Sequence, residues 1–442
     1  MLYVPGCAGG YLNDKTIEPR IIEVPVMLKA LNLADLQKVK EDLAAWLITE
    51  NPEELIFDDE PDRVYYAVVE RSLDIEEFVN IGRGTITFIC PDPYKYGPEK
   101  PVTFANTGVI PVNGTAETDP IIKVNITKDT TFVAVSNGDK LNMIGMPTKA
   151  DQTPIAPETQ VYNTTCNNLT GWTSPTTTDD SVMAGTLKTN GADFYSDSYG
   201  SGTVWRGPAM KTSFGTTVKD FRFDVGFSMA TTAGNQAGGI ILSLLDAQNK
   251  PVAKLMMTKH FGGTNAYYAK FRAGSQAIGY DIINETGKAV INKSAVSCIF
   301  RLWRKGNIWT AQIFEKVKGI YQTPYTVNWT DSNGIATADV AQIQVQLLAR
   351  AAFPVVDQRI ADIVFYRENN VNADQVPIVA RVGDVIEFDH KSDIIRRNGE
   401  DVSDTKSFIG EYFRLSPGLN TIVAEPADSI SNVEVRWRDK WL

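Results

Sequence analysis

Phe221-Arg222-Phe223-Asp224-Val225-Gly226-Phe227-Ser228-Met229 alternates without a break between large apolar residues and polar or small ones. Successive side chains of an extended strand point to opposite faces, so this segment reads as a strand with one face in a core and the other polar. The same texture recurs at Val296, Cys298, Phe300 and Leu302, and again at Ile343, Val345 and Leu347. Turn residues at 246–249 and 305–307 separate neighbouring strands. About 200 residues of this kind suit a jelly-roll or concanavalin-like β-sandwich, and no helix is expected within it.

Composition marks the limits of this middle segment. Residues 158–368 are rich in Thr, Asn, Gly and aromatics, and their only glutamates are Glu158, Glu285, Glu315 and Glu368. The segment holds 20 Lys and Arg against 16 Asp and Glu, a balance of +4, so the formal −10 of the 442-residue chain leaves −14 for the two flanks. Residues 146–160 carry Pro147, Pro154 and Pro157 among polar residues, as an exposed linker does, and a matching polar stretch follows at 367–375.

The flanks read as halves of one scaffold. Ile22, Val24, Val26 and Leu28 alternate as a strand; Asn32 offers an N-cap, and Leu36, Val39, Leu43, Trp46 and Leu47 fall on one face of a helix over 35–47. That apolar stripe is expected to pack on the domain's own sheet. Residues 63–71 and 84–90 are strand-like, joined by an acidic connection around 74–77, and Pro91-Asp92-Pro93 ends the unit. Short strands follow over 101–145, with Asn137-Gly138 as a hairpin turn. Beyond the middle segment, 378–388, 393–397, 411–415, 420–424 and 433–438 read as strands. Neither set suffices for a sandwich, and together they make a two-sheet core whose loop hosts the insertion, with the ends of that loop close together.

Several function classes drop out. No basic run is long enough to track a phosphate backbone, so nucleic acid is not an expected partner. Residues 1–10 lack the pattern of a signal peptide and nowhere do eighteen apolar residues run together, so neither export nor membrane insertion is expected. Cys7, Cys90, Cys166 and Cys298 have no metal-site spacing and are expected to be reduced. His260 and His390, the only histidines, fall in different proposed domains, which excludes a multi-histidine metal site and argues against a catalytic triad. No G-x-S-x-G, no phosphate-binding loop and, in the middle segment, no E-x-D-x-x-E occurs, so the paired carboxylates of a glycosidase are not in evidence. The chain is expected to be no enzyme and to need no cofactor.

Sugar binding is the remaining chemistry. It needs flat aromatic faces against the C–H side of a pyranose, with amides or carboxylates for the hydroxyls. Trp172, Tyr195, Tyr199, Trp205, Tyr267, Tyr268, Trp309 and Trp329 are the candidates, each weighed against a role in core packing. Asp179, Asp180 and Asp197 lie in a turn-rich region but without a calcium-loop spacing, and are read as solvated charges.

At this point the flanks resemble a known family, the distal tail proteins of siphophages, chiefly those infecting Gram-positive bacteria. The resemblance rests on Val4-Pro5-Gly6, Gly9-Gly10-Tyr11, Glu18-Pro19-Arg20, the helix over 35–47, Leu55-Ile56-Phe57-Asp58-Asp59-Glu60-Pro61-Asp62-Arg63 and Gly84-Thr85-Ile86-Thr87-Phe88-Ile89-Cys90-Pro91-Asp92-Pro93-Tyr94, in that order. Gly383-Asp384-Val385-Ile386, Arg397-Asn398-Gly399, Tyr412-Phe413-Arg414-Leu415-Ser416-Pro417-Gly418-Leu419-Asn420 and the end from Trp437 to Leu442 match as well. Members usually carry a further segment ahead of the Val-Pro-Gly stretch, whereas here Met1 stands three residues before Val4. Trp205-Arg206-Gly207-Pro208 resembles a short motif of phage-borne sandwich modules.

The resemblance implies a mainly β chain: an α+β ring (belt) domain over 1–98, a galectin-like β-sandwich over 99–150 plus 373–442, and an inserted jelly-roll carbohydrate-binding-like module over 156–370. It implies a homo-hexameric ring in the virion at the tail tip, made in the bacterial cytoplasm, joining the tail tube protein to baseplate or receptor-binding proteins. Members with such an insertion hold host cell-surface carbohydrate. Two alternatives stand beside this: a concanavalin-type hydrolase, and an insertion that serves as a docking platform for another baseplate protein.

Overall fold

The computed structural model describes residues 17–26, 33–70, 84–179, 181–260, 267–350 and 352–442. Cys7, the motifs before Ile17, the N-cap Asn32, the acidic connection at 74–77 and Asp180 lie outside the described residues. The chain divides into two compact units: residues 1–146, 379–397 and 402–442 form one, residues 147–378 and 398–401 the other.

In the first unit, Arg20–Val26, Gly84–Cys90, Tyr65–Val69 and Glu53–Leu55 form an antiparallel sheet in that order. The helix Leu33–Leu47 buries Val39, Leu43 and Leu47 only partly, and Trp46 is 76% exposed, so the expected stripe does not hold as a buried face at that position. Exposed Trp46 belongs to the solvent side of the helix instead.

The flanks interleave. Val385–Asp389 pairs with Ile121–Ile126, which pairs with Ile430–Trp441, which pairs with Lys95–Phe104. On the facing sheet Gly418–Glu425 lies between Thr107–Val112 and Phe132–Ser136. Strands from before and after the middle segment therefore alternate, and Ile122, Val124, Ile386, Phe388, Ile422, Val433 and Val435 share one core. Removing the C-terminal flank strips hydrogen-bond partners from Lys95–Phe104, Thr107–Val112, Ile121–Ile126 and Phe132–Ser136. One expected strand is absent: 411–415 makes only a single bridge, Leu415 to Thr118, and crosses the sandwich as an irregular segment. Its Phe413 N–H donates to His390 Nδ1 at 2.9 Å, and burial holds that imidazole down to about 4, so His390 is a neutral structural acceptor.

The second unit is two large sheets. One runs Thr186–Thr189, Phe194–Ser198, Asp357–Glu368, Phe221–Ala230, Ala295–Lys305, Ile308–Val317, with Glu158–Thr164 and Tyr325–Thr330 added alongside. The other runs Trp205–Gly207, Val340–Arg350, Gly238–Leu245, Pro251–Lys259, Tyr267–Ala273, Tyr280–Thr286, with Ala209–Val218 also on Val340–Arg350. Phe221, Phe223, Val225, Phe227 and Met229 are buried, as the alternation requires. Phe300 packs its ring against both Phe227 and Phe271 at 4.5 Å, pairs worth about 0.5–1.5 kcal/mol each beyond their area. Gly207 is needed for a close approach rather than a turn: a Cβ there would meet Leu347 O at 1.8 Å.

The incoming and outgoing strands of the second unit are neighbours. Thr153–Ile155 pairs in parallel with Gln375–Pro377, and Asn369 donates its side-chain amide to Ala156 O at 2.9 Å and Thr159 Oγ1 at 2.8 Å. In the first unit, the N–H groups of Met146 and Val379 donate to the adjacent carbonyls of Thr131 and Thr130, at 3.0 Å each. Residues 147–378 thus leave and re-enter the sandwich at neighbouring points.

Beside this neck, Glu158 and Glu368 are registered partners. Burial, then the hydrogen bond with Glu158 and its charge, push the Glu368 carboxyl up to about 7, while Trp303 Nε1 donates to it at 2.8 Å. The folded chain therefore holds a proton that the unfolded chain releases near the ordinary value of 4.5. The sign follows: this contribution is fully present below pH 4.5 and is lost as pH rises through 7. Glu368→Gln, whose amide donates to Glu158 at any pH, is expected to raise the melting temperature at pH 8 and to flatten its fall between pH 5.5 and 8, an effect on the order of 1 kcal/mol for a partly exposed group. A fall as steep in the variant as in the parent would assign the pH dependence elsewhere.

Candidate saccharide-binding face

The sheet containing Val340–Arg350 carries its chemistry on the face away from the core. Ile343, Val345 and Leu347 point inward, which by period two places Gln342, Gln344 and Gln346 on the other side. The register extends these glutamines into rows of mixed polarity. Gln344 stands beside Ser243, Lys254, Arg272 and Asp281, and Gln346 beside Ile241, Met256, Lys270 and Asn284. A third row runs Leu348, Gly239, Thr258, Tyr268, Thr286.

These groups hold one another in place. Gln346 accepts from Ser181 Oγ at 2.7 Å and donates to Gly207 O at 3.3 Å. Lys254 Nζ reaches Asp179 Oδ2 at 3.2 Å. Arg272 grips Asp281 with two bonds, 2.6 and 3.1 Å, and Lys270 adds an ion pair at 3.0 Å. Burial alone would raise the Asp281 carboxyl, but these hydrogen bonds and charges hold it below the usual range. Two cavities open on this face and share Asn249: one of about 420 Å³ lined by Lys211, Ser213 and Gln342, and one of about 260 Å³ between 175–179 and Ser243, Leu245 and Gln344. Fixed amides, hydroxyls and ion-paired side chains beside open cavities suit a polyhydroxylated ligand.

The eight aromatic candidates divide by side. Trp172, Tyr267 and Trp309 are buried in the core and offer no ring face to a sugar. Trp172 meets Phe194 edge-on at 5.3 Å; Tyr267 donates its hydroxyl to Ser294 O at 3.1 Å, and burial pushes it up to about 12. These three are corrected to structural residues. Tyr199 is half-buried and accepts from Gln358 Nε2 at 2.8 Å, while the Tyr195 ring lies 5.8 Å from the Arg359 guanidinium. Trp329 stacks on Tyr280 with centroids 4.8 Å apart at 9°, away from the glutamine rows. Only Tyr268 and Trp205 reach the polar face. Tyr268 donates to Asn284 Oδ1. Trp205, registered with Arg350, meets His260 edge-on at 5.3 Å.

The glutamine row and Tyr280 were not among the sequence candidates. Their signal was present in the alternation of Gln342, Gln344 and Gln346 with Ile343 and Val345. Asp179 and Asp197 are each ion-paired, to Lys254 and to Lys188 at 2.9 Å. Cys90, Cys166 and Cys298 are buried free thiols.

Comparison with known proteins bears on the flanks. The phage tail protein RIFT-related domain matches residues 2–90, and the siphovirus-type tail component C-terminal domain matches residues 365–441. The distal tail protein of Bacillus phage SPP1 is 32% identical over 123 residues. Both flanks are similar to those of siphophage distal tail proteins. The aligned part covers 27% of this chain and 48% of the SPP1 protein, so the chain spans about half the length of that curated relative. Among solved structures, the CBM2 module of the Lactobacillus casei BL23 phage J-1 evolved distal tail protein is 15% identical, covering 49% of this chain and 100% of that one, with a TM-score of 0.41. The crystal structure of the SPP1 distal tail protein is 24% identical, covering 33% and 62%, with a TM-score of 0.29.

Proposed function

We propose that this chain is a distal tail protein, a structural hub of the phage tail tip, closing as a homo-hexameric ring in the virion after synthesis in the bacterial cytoplasm and joining the tail tube protein to baseplate or receptor-binding proteins; the matches of both flanks support this reading. Its inserted unit holds host cell-wall saccharide during adsorption, without turnover. The observation that carries the saccharide reading is the glutamine row with its two cavities meeting at Asn249. Millimolar single sites suffice, because six on one ring act at high effective concentration. Binding without hydrolysis is favoured because, among the described residues, the Asp179 and Asp281 carboxylates of this face are engaged by cations, a poor state for general acid or nucleophile.

The test is the fluorescently labelled full chain applied to a panel of Gram-positive strains. Selective decoration is expected, with no release of reducing ends from purified walls. Gln344→Ala is expected to weaken decoration about tenfold, as for the loss of one or two hydrogen bonds; because Gln344 is itself buried, the melting temperature is measured alongside to separate loss of contact from loss of fold. Equal decoration by the variant removes this face from the reading. Absence of decoration together with co-purification of a tail component favours the docking platform.

A further inference from the structure

The larger cavity has a charge pattern that a neutral sugar does not call for. Along Ala209–Val218, pairing with Val340–Arg350 shifts between Ser213 and Val218, so residues 214–217 stand out as a bulge at the cavity's rim. Gly215 turns it at φ +71, with open space where a Cβ would lie. One cation, Lys211, lines the cavity, and a second, Arg367, touches its rim at Thr216. Lys211 Nζ donates to Asn249 Oδ1 and, at 3.0 Å, to Gln342 Oε1. The Gln342 amide is oriented for this by its own donation to Asp246 O at 2.8 Å. Arg367 Nη2 reaches Thr216 Oγ1 at 3.4 Å.

Among the described residues neither Lys211 nor Arg367 has a carboxylate within ion-pair distance, whereas Lys254, Lys270 and Arg272 on the same unit all do. An ammonium has three donors, and two here meet neutral oxygens, leaving one donor and the whole charge for something else. The hydroxyls of Ser213, Thr216 and Thr217 border the same space. The wider field agrees, since residues 158–368 carry +4 in a chain of −10.

We infer that this cavity is an anion subsite: the saccharide held by the inserted unit is a polyanionic wall polymer, and Lys211 and Arg367 hold one of its phosphate or carboxylate groups against the 214–217 bulge. The inference rests on the saccharide reading and names the ligand class for that face.

The experiment measures retention of the full chain on purified, protease-treated walls of a strain it decorates, in four arms: untreated walls, walls freed of phosphodiester-linked polymer by cold hydrofluoric acid, walls with carboxyls amidated by carbodiimide, and walls given both treatments. Retention on untreated walls is expected to fall steeply between 50 and 500 mM salt, and Lys211→Gln and Arg367→Gln are each expected to lower it about tenfold at low salt, as for a charge-assisted bond. Loss in the acid arm identifies phosphate as the anion, and loss in the amidated arm identifies carboxylate. The salt dependence of the unaltered protein keeps the test independent of how either variant folds. Retention that ignores salt, both substitutions and the double treatment overturns the anion subsite and leaves a neutral saccharide ligand. Absence of retention on every wall overturns the subsite and the saccharide reading together.

Discussion

Trp309→Ala is expected to cost the inserted unit about 3–5 kcal/mol, the range for removing a large aromatic from a packed core. The ring is fully buried, edge-on to Phe221 at 5.8 Å and 5.3 Å from the Arg304 guanidinium. Arg304 in turn holds Lys219 O at 2.6 Å and Ala338 O at 2.7 Å, fixing two loops. Removing the indole leaves a void and takes away the face over which that cation sits. Thermal denaturation of the full chain should show a transition roughly 10 °C lower, at a few degrees per kcal/mol for a unit of this size. The outcome separates the two roles weighed for this residue. A sugar contact would lose wall binding at unchanged melting temperature, and that result would contradict its placement in the core.

Arg222→Met is expected to cost on the order of 3 kcal/mol, because it takes the bidentate cation from the mostly buried Glu158 carboxylate. Arg222 spans Glu158 through two bonds of 2.6 and 2.7 Å and Asp224 through a third of 2.5 Å, while Arg301 covers the far side of Asp224 at 2.8 and 3.0 Å. Burial works to raise the Glu158 carboxyl, but the hydrogen bonds and charge of Arg222 prevail and hold it below its ordinary 4.5. Stability from that lowered group is present above 4.5 and is lost as pH falls through the folded value. The deficit of the variant should therefore shrink in acid. Chemical denaturation at pH 7 and pH 4 measures it, and Glu158→Gln in the Arg222→Met background should restore part of the loss. A deficit independent of pH would mean that Arg222 acts through packing on Tyr366, whose ring lies 4.3 Å away, and not through charge.

What the sequence made legible follows from where periodicity operates. The run at 221–229 pairs on both edges, so its alternation is enforced by a core on one side, and every apolar position is buried. The same logic would have placed Trp309 with Ala311 and Ile313, and Tyr267 with Ala269 and Phe271, all buried. Judging aromatics singly, by chemistry rather than by register, set these two among sugar candidates. Trp172 lies outside any strand and had no periodic signal to read. At 411–415 the alternation of Phe413 and Leu415 gave the burial correctly, yet the segment lacks a partner strand, and partnership is a property of the fold rather than of the local run. The polar face was the least legible part. Gln344 looks like an ordinary polar position until the register lines it up with Ser243, Lys254 and Arg272, contributed by strands about 70 to 100 positions away in the chain.

The neck has a consequence for heredity. Met146 and Val379 are tied to consecutive carbonyls, those of Thr131 and Thr130, so a bridge of a few residues closes the outer sandwich without disturbing a ladder. The gene segment between them is a cassette. Recombination at its borders can discard it or trade it for another while the strands contributed by both flanks go on forming the same frame.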